Sequence, residues 1–210
     1  NFLKNLNSKK VKFKEVKLED TCDVLIGGTP KRAVKKYFIG GKNLWASVSE
    51  LNGNTINDTK EYLTDEGVKN SNVKLLKKGT VLMSFKLSIG KTGICGKDMY
   101  TNEAIAAFVP KIPKINPNYI LLMVSTISKI SKNKKGSLGA GSLNKKKLEE
   151  LLIPIPITKN DEYSLEHQEY LLNHFEQSKN FKNEIFEQKN TMTELLDNFD
   201  NYLLDDLIKG

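Results

Sequence analysis

Cysteine, arginine and histidine are all scarce in this 210-residue chain. Cys22 and Cys95 stand alone with no CxxC pair, which argues against a disulfide framework and makes a reducing cytosol the expected compartment. His167 and His174 lie seven residues apart with no cysteine between them, so no metal site is expected. No apolar run approaches the roughly 18 residues of a membrane span, and no secretory signal opens the chain. Asn1 rather than Met at the start leaves two origins open, a numbering that begins within a longer polypeptide or a trimmed leader.

What is abundant is lysine, and it is unevenly placed. Residues 1–160 carry 29 Lys and Arg against 13 Asp and Glu, a net of +16, whereas residues 161–210 carry 4 against 12, a net of −8. The overall value of +8 therefore hides two bodies of opposite sign. A body this basic suits a polyanion, because every phosphate neutralised by lysine or arginine releases condensed counterions. The acidic segment is a poor surface for that role.

After Glu166 there is no proline and no glycine before the last residue, so a long helix is expected there. On a heptad template one seam position takes Leu171, Ser178, Ile185, Met192 and Phe199, and the other takes Phe175, Lys182, Lys189, Leu196 and Leu203. Apolar at its ends and polar in its middle, such a seam suits partner helices, with Leu171, Phe175, Ile185, Met192, Leu196, Phe199 and Leu203 making the contacts. At 1.5 Å per residue the helix would run roughly 60 to 70 Å, too long for a small domain to cover. A terminal helix folded onto its own domain is the alternative, and it would favour a shorter element with a wider apolar stripe.

The basic part, residues 1–160, reads as a mixed α/β (α+β) domain. Short apolar and β-branched runs at 11–18, 44–48, 80–85 and 104–109 predict strands. A helical signal spans 64–70, and a firmer one follows Asn116, a capping residue ahead of Pro117 and residues 119–130. A third helix is expected from about Ser142 through Leu148, Leu151 and Leu152. Pro154 and Pro156 should stop it and mark the exit from the domain, with residues 158–164 as a hinge.

Glycines cluster at Gly27-Gly28, at Gly40-Gly41, at Gly90, Gly93 and Gly96, and through 136–141. Lys31, Arg32, Lys35 and Lys36 follow the first cluster, Lys86 and Lys91 flank the third, and Lys134, Lys135, Lys145 and Lys146 bracket the last. Glycine loops let backbone N–H groups approach phosphate and flanking lysines add charge, although ordinary turns on a wet surface would look the same. Arg32, the only arginine, is the first candidate for a bidentate contact to guanine, with a phosphate contact or a plain surface charge as the alternatives.

Other motifs lead nowhere. Ile89-Gly90-Lys91-Thr92 ends like a P-loop, but Phe85 stands where its first glycine belongs. Asn116-Pro117-Asn118-Tyr119 resembles the NPPY tetrapeptide of amino-methyltransferases without its second proline. Glu15-Val16-Lys17 lacks the upstream Pro-Asp pair of nucleases. Gly136-Ser137-Leu138-Gly139 fits the GXXG of KH domains and keeps an RNA-binding adaptor open as an alternative. No catalytic constellation emerges, and a binding module is expected.

Taken in order, certain runs resemble one family. They are Val16-Lys17-Leu18-Glu19-Asp20, Ile26-Gly27-Gly28-Thr29-Pro30, Leu44-Trp45-Ala46-Ser47-Val48-Ser49-Glu50-Leu51 and Asp58-Thr59-Lys60-Glu61-Tyr62-Leu63-Thr64. The series continues through Lys77-Lys78-Gly79-Thr80-Val81-Leu82-Met83-Ser84-Phe85, Ser88-Ile89-Gly90-Lys91 and Thr101-Asn102-Glu103-Ala104, and closes with 151–157 and with His167-Gln168 entering the helix. Together they resemble a target recognition domain from the specificity subunit of type I restriction-modification enzymes. The resemblance implies a non-catalytic chain whose domain reads one half of a bipartite duplex-DNA site. Its long helix, residues 161–210, would serve as dimerisation arm, spacer and docking surface for methyltransferase subunits and, through them, restriction subunits. No cofactor of its own is implied, since S-adenosylmethionine belongs to the methyltransferase partners. Such subunits usually hold two domains and two helices. This chain has one of each, so it is expected either to be half of a longer subunit or to pair with itself through antiparallel helices. The specificity end of a single-chain restriction-methyltransferase is the other reading in the same family.

Overall fold

The computed structural model describes residues 11–86, 88–133 and 143–209, with side chains left out at 127–133 and 195–209. It divides into two compact units, Asn1–Glu169 and Tyr170–Gly210.

The first unit is built on a five-stranded sheet of order β2-β9-β6-β7-β4, formed by β2 (Cys22–Ile26), β4 (Thr55–Ile56), β6 (Val81–Ser84), β7 (Thr92–Cys95) and β9 (Ile105–Pro110). All its pairings are antiparallel except β4 with β7. Central β6 is buried along its whole length, as a strand covered on both faces must be. Leu82, Ile105 and Ala107 join Ala46, Leu51, Ile56, Leu76, Cys95 and Met99 in one apolar cluster. By the two-residue alternation of a strand, Val81, Met83, Ala106 and Phe108 face the other side. There α3 (Pro117–Asn133) packs against β6, β7 and β9.

A second sheet, β5-β3-β8, is formed by β3 (Asn43–Ala46), β5 (Glu61–Leu63) and β8 (Tyr100–Thr101), and shares the cluster through Ala46 and Leu44. Four of the expected strands are present as β1 (Lys12–Lys17), β3, β6 and β9, and the two N-terminal helical signals as α2 (Asp65–Lys69) and α3. Thr64 caps α2 by accepting the Gly67 N–H at 3.1 Å, and the Asn116 side chain accepts from Asn118 N–H at 2.9 Å. Both cysteines are free and buried, and burial pushes the thiols up, Cys22 to about 11 and Cys95 to about 12.

The expected third helix is shorter than its leucines suggested. The helix α4 (Lys145–Glu149), capped by Asn144, stops before Leu151, and Leu152 opens a strand, β10 (Leu152–Ile157), which contains both prolines. Pro154 and Pro156 therefore do not mark an exit. The strand β10 pairs antiparallel with β1 in a two-stranded ribbon, where proline's missing N–H can face the unpaired edge. The carbonyl of Pro154 accepts the buried Tyr119 hydroxyl at 2.7 Å, and that of Pro156 accepts the Ser164 N–H at 2.9 Å. A minimal helix, α1 (Leu18–Thr21), links β1 to β2.

Nor is the segment after β10 a loose hinge. Thr158 N–H bonds the Glu162 carbonyl at 2.8 Å, Tyr163 bridges back to Ile157, and Lys114 pairs with Glu162 at 2.7 Å. The long helix α5 (Leu165–Lys209) begins where expected. Its first turn belongs to the first unit because Gln168 is wholly buried there. The Gln168 amide donates to the Lys114 carbonyl at 2.9 Å and its oxygen accepts the Asn116 N–H at 2.9 Å.

In the second unit Phe175, Phe181, Ile185, Phe186 and Met192 are exposed. At about 100° per residue they fall within an arc of roughly 140°, while Glu176, Glu184, Glu187 and Glu194 fall within about 80° on the other side. Phe181 and Phe186 lie off the heptad seam, so the apolar face is wider than that seam. Leu171 is half-buried, and the side chains of Leu196, Phe199 and Leu203 lie outside the described residues.

Candidate nucleic-acid interface

The register of the five-stranded sheet decides which loops meet. Ile26 ends β2 opposite Ala106, Ser84 ends β6 opposite Ile105, and β7 starts at Thr92 opposite Met83. Consequently the loop after β2 (27–32), the turn before β9 (102–104) and the β6–β7 connection (85–91) all emerge at one end. Strand β4 runs parallel to β7, so the turn before it (52–54) joins them. Backbone bonds tie these loops together, with Gly28 N–H to the Thr101 carbonyl at 2.8 Å, Phe85 N–H to Ala104 at 3.0 Å and Gly53 N–H to Thr92 at 2.7 Å.

Close packing at this end requires glycine at position 27. A Cβ there would stand 2.2 Å from the Asn102 carbonyl oxygen and 2.4 Å from Thr101 Oγ1. That hydroxyl is buried and has no hydrogen-bond partner among the described residues. The Trp45 indole, itself buried, donates to the Gly28 carbonyl at 3.0 Å and fastens the glycine loop to the second sheet. Behind it, Thr59 accepts the Trp45 N–H at 3.2 Å and donates to the Glu61 carbonyl at 2.7 Å.

Arg32 is engaged at this end. Its guanidinium forks onto both oxygens of Glu61, with Nη2 to Oε2 at 2.9 Å, and stacks 4.6 Å from the Trp45 ring and 4.9 Å from that of Phe38. The Arg32 hydrogen bond holds the Glu61 carboxyl below its ordinary range. Glu103 is lowered as well, first by the hydroxyl it accepts from Thr29 and further by the charges of Lys86 and Arg32. Glu50 is pushed up by burial, but the Ser47 hydroxyl and backbone N–H, with Ser49 and the Lys60 N–H, outweigh it and lower it. These carboxylates, all inside the runs that carry the family resemblance, organise the loops.

The nominated lysines divide. Lys31, Lys35, Lys86 and Lys91 are exposed with no carboxylate in ion-pair reach among the described residues, while Lys36 pairs with Glu66. Lys31, Lys86 and Lys91 sit in the loops of the sheet end just described, and Lys35 follows three residues after Arg32. Lys145 and Lys146 are not brought to this end. Lys145 pairs with Glu149 at 3.1 Å and Lys146 lies 3.9 Å from Glu150, just after α4, and Lys145 shares a depression with Glu19, Asp20, Asp23, Lys111 and Glu149 at the start of β2. Lys134, Lys135 and the GXXG loop lie outside the described residues. Among the described residues no cluster of His, Cys, Asp and Glu could hold a metal ion, and no helix is long and apolar enough to cross a membrane.

The first unit is thus a mixed α/β body with basic loops gathered at one sheet end, and a 45-residue helix follows β10 in the chain. A family model described as "Type I restriction modification DNA specificity domain" matches residues 10–201, and the chain belongs to that family. It is similar to the specificity subunit of the type I restriction enzyme MjaIX from Methanocaldococcus jannaschii, 27% identical over 144 residues covering 67% of this chain and 33% of that protein. It is also similar to the EcoR124I/EcoR124II specificity subunit of Escherichia coli, 25% identical over 138 residues, 62% of this chain and 33% of that one. The chain thus spans about a third of the length of these relatives. The fold matches the HsdS subunit from Thermoanaerobacter tengcongensis, with a TM-score of 0.59 at 17% identity over 79% of this chain and 37% of that one. A chain from a structure concerned with complex assembly of a type I R-M system matches with a TM-score of 0.62 at 18% identity, over 80% and 38%.

Proposed function

We propose that this chain reads one half of a bipartite duplex-DNA target as a non-catalytic specificity component, and that α5 positions methyltransferase subunits and, through them, restriction subunits. The observation that carries this reading is the sheet register, which brings Lys31, Lys86 and Lys91 to the same end as the family runs around Gly27, Trp45, Glu61 and Glu103. Lysines there grip phosphates and give position, while loop side chains reach base edges and give sequence. The second unit supports the rest. An acidic arc repels DNA, and five exposed large apolar side chains on another arc suit a partner helix, from a second copy of this chain or from the other half of a longer subunit. S-adenosylmethionine would belong to the methyltransferase partners, and the assembly would work in the cytoplasm.

Binding of random-sequence duplex measured against salt tests the first part. Changing Lys31, Lys35, Lys86 and Lys91 to Gln should flatten the log–log salt slope by about 0.9 for each phosphate that is no longer neutralised. An unchanged slope would remove this end from the interface. Light scattering tests the second. The chain should be a dimer, or should copurify with methyltransferase subunits, and Phe181→Glu with Ile185→Glu should abolish either association.

A further inference from the structure

We infer that Asn54 is a specificity-determining residue, its carboxamide reading one base that presents an acceptor beside a donor on its major-groove edge, the pattern of adenine N7 and N6. The inference rests on the DNA-reading role proposed above and names a contact within it.

Carboxamides at the basic end come from Asn52, Asn54, Asn72 and Asn102, and their states differ. Asn52 Oδ1 accepts the Asn54 backbone N–H at 3.0 Å, and Asn102 Oδ1 accepts the Ala104 N–H at 3.1 Å. Asn72 is exposed and its carboxamide too has no hydrogen-bond partner among the described residues, but its Oδ1 is packed over buried Gly28, 2.2 Å from where a Cβ would stand. Asn54 is exposed, and its carboxamide has no hydrogen-bond partner among the described residues.

Its backbone, by contrast, is held on both sides. The Gly53 N–H bonds the Thr92 carbonyl at 2.7 Å, and the Ile94 N–H bonds the Asn54 carbonyl at 3.1 Å. Gly53 takes φ +89°, a left-handed conformation that glycine adopts without strain, so the turn is shaped before anything binds. A fixed backbone under a free side chain lowers the ordering cost of a directional contact.

Chemistry singles out this side chain from its neighbours. A carboxamide offers a donor and an acceptor side by side and matches adenine bidentately, whereas a lysine is a point charge that suits phosphate. Arg32, Glu61, Thr29 and Glu103 are occupied with one another. Lys91, directly before Thr92 in the chain, is exposed with no carboxylate in ion-pair reach among the described residues and suits a neighbouring phosphate.

Asn57 provides a control. It is exposed too, but it leaves the opposite end of β4, with Oδ1 2.1 Å from where a Cβ on Gly96 would stand. Selection of bound sequences from a random duplex library, with the full chain as wild type, Asn54→Ala and Asn57→Ala, makes the test. Wild type should enrich a motif containing adenine. Asn54→Ala should lose roughly tenfold to a hundredfold discrimination at one position, with the salt slope and thermal unfolding midpoint unchanged. Asn57→Ala should keep every position. A wild-type motif retained in full by Asn54→Ala, or affinity reduced evenly across sequences, overturns the assignment alone. A wild-type chain that enriches nothing overturns the DNA-reading role and this assignment with it.

Discussion

At one end of the five-stranded sheet the loops expose Lys31, Lys86 and Lys91 without carboxylate partners among the described residues; at the other, Glu19, Asp20, Asp23 and Glu149 surround Lys111 and Lys145. Both ends belong to a body with a large positive excess, yet at the second end acids lie within ion-pair reach of Lys111 and Lys145, whereas none reaches Lys31, Lys86 or Lys91 among the described residues. At the acidic end Lys111 lies 3.7 Å from Asp23 and Lys145 3.1 Å from Glu149. Lysine count is therefore a poor guide to a phosphate-binding surface. What matters is whether local acids have already neutralised the charge, because only an unpaired ammonium contributes fully to counterion release.

The sharpest way to break the difference is to spoil the packing that builds the basic end. Gly27→Ala drives a methyl into the Asn102 carbonyl and Thr101 Oγ1, neither of which can yield cheaply. We expect about 1–3 kcal/mol of lost stability in urea denaturation, together with loss of DNA binding. Full retention of both would mean the loops assemble differently.

Arg32 comes next. With its fork on Glu61 and its stacking on Trp45 we expect it to clamp the glycine loop, so Arg32→Ala should weaken binding by about 1–2 kcal/mol, evenly across DNA sequences. Arg32→Lys should do nearly the same, since an ammonium reproduces neither the fork nor the stack. Glu61→Gln decides between clamp and base reader. Freeing the guanidinium should weaken binding if it positions the loop and strengthen it if it reads guanine.

A smaller effect separates the two ends by charge. Lys145→Gln with Lys146→Gln should move the salt slope by less than about one unit, roughly a single phosphate at most. A larger change would bring α4 into the interface.

The smallest effect is one of pH. Glu61 and Glu103 have folded values held below their ordinary value near 4.3, so their contribution is present above that pH and fades as pH falls through the folded values. With Glu61 partly exposed the loss should stay under about 1 kcal/mol. It should show as a steeper fall of the wild-type urea midpoint between about pH 5 and 3 than that of Glu61→Gln.

Much of the fold was legible because it is local. The alternating or apolar runs that became β1, β3, β6 and β9, the Asn116–Pro117 helix start and the proline-free stretch of α5 each express their structure within a few residues. Strand β2 and the two- to four-residue strands β4, β5, β7 and β8 were not legible, since strands that short take their geometry from neighbours rather than from their own pattern. The prolines of β10 misled for a related reason. They stop helices and central strands but tolerate the free edge of a ribbon, and only the partner strand reveals that the edge is free.

The candidate site shows the same division. The clusters around Gly27 and Gly90 and the lysines beside them were visible as residues, and the ordered runs carried the family. Which clusters share a surface was not visible, and Lys145 and Lys146 looked equivalent to Lys31 and Lys86. Arg32 likewise read as a free arginine, because Glu61 lies 29 residues away and no local pattern joins them. Asn54 carries no local mark that separates it from the many other asparagines.

By itself the sequence determined the family, the opposite charges of body and helix, and the local elements, since composition, periodicity and capping act between near neighbours. Tertiary structure alone decided which lysines remain unpaired, where Arg32 is held and which loops converge. Those outcomes depend on strand register, which joins residues far apart in the chain through backbone hydrogen bonds that no single segment encodes.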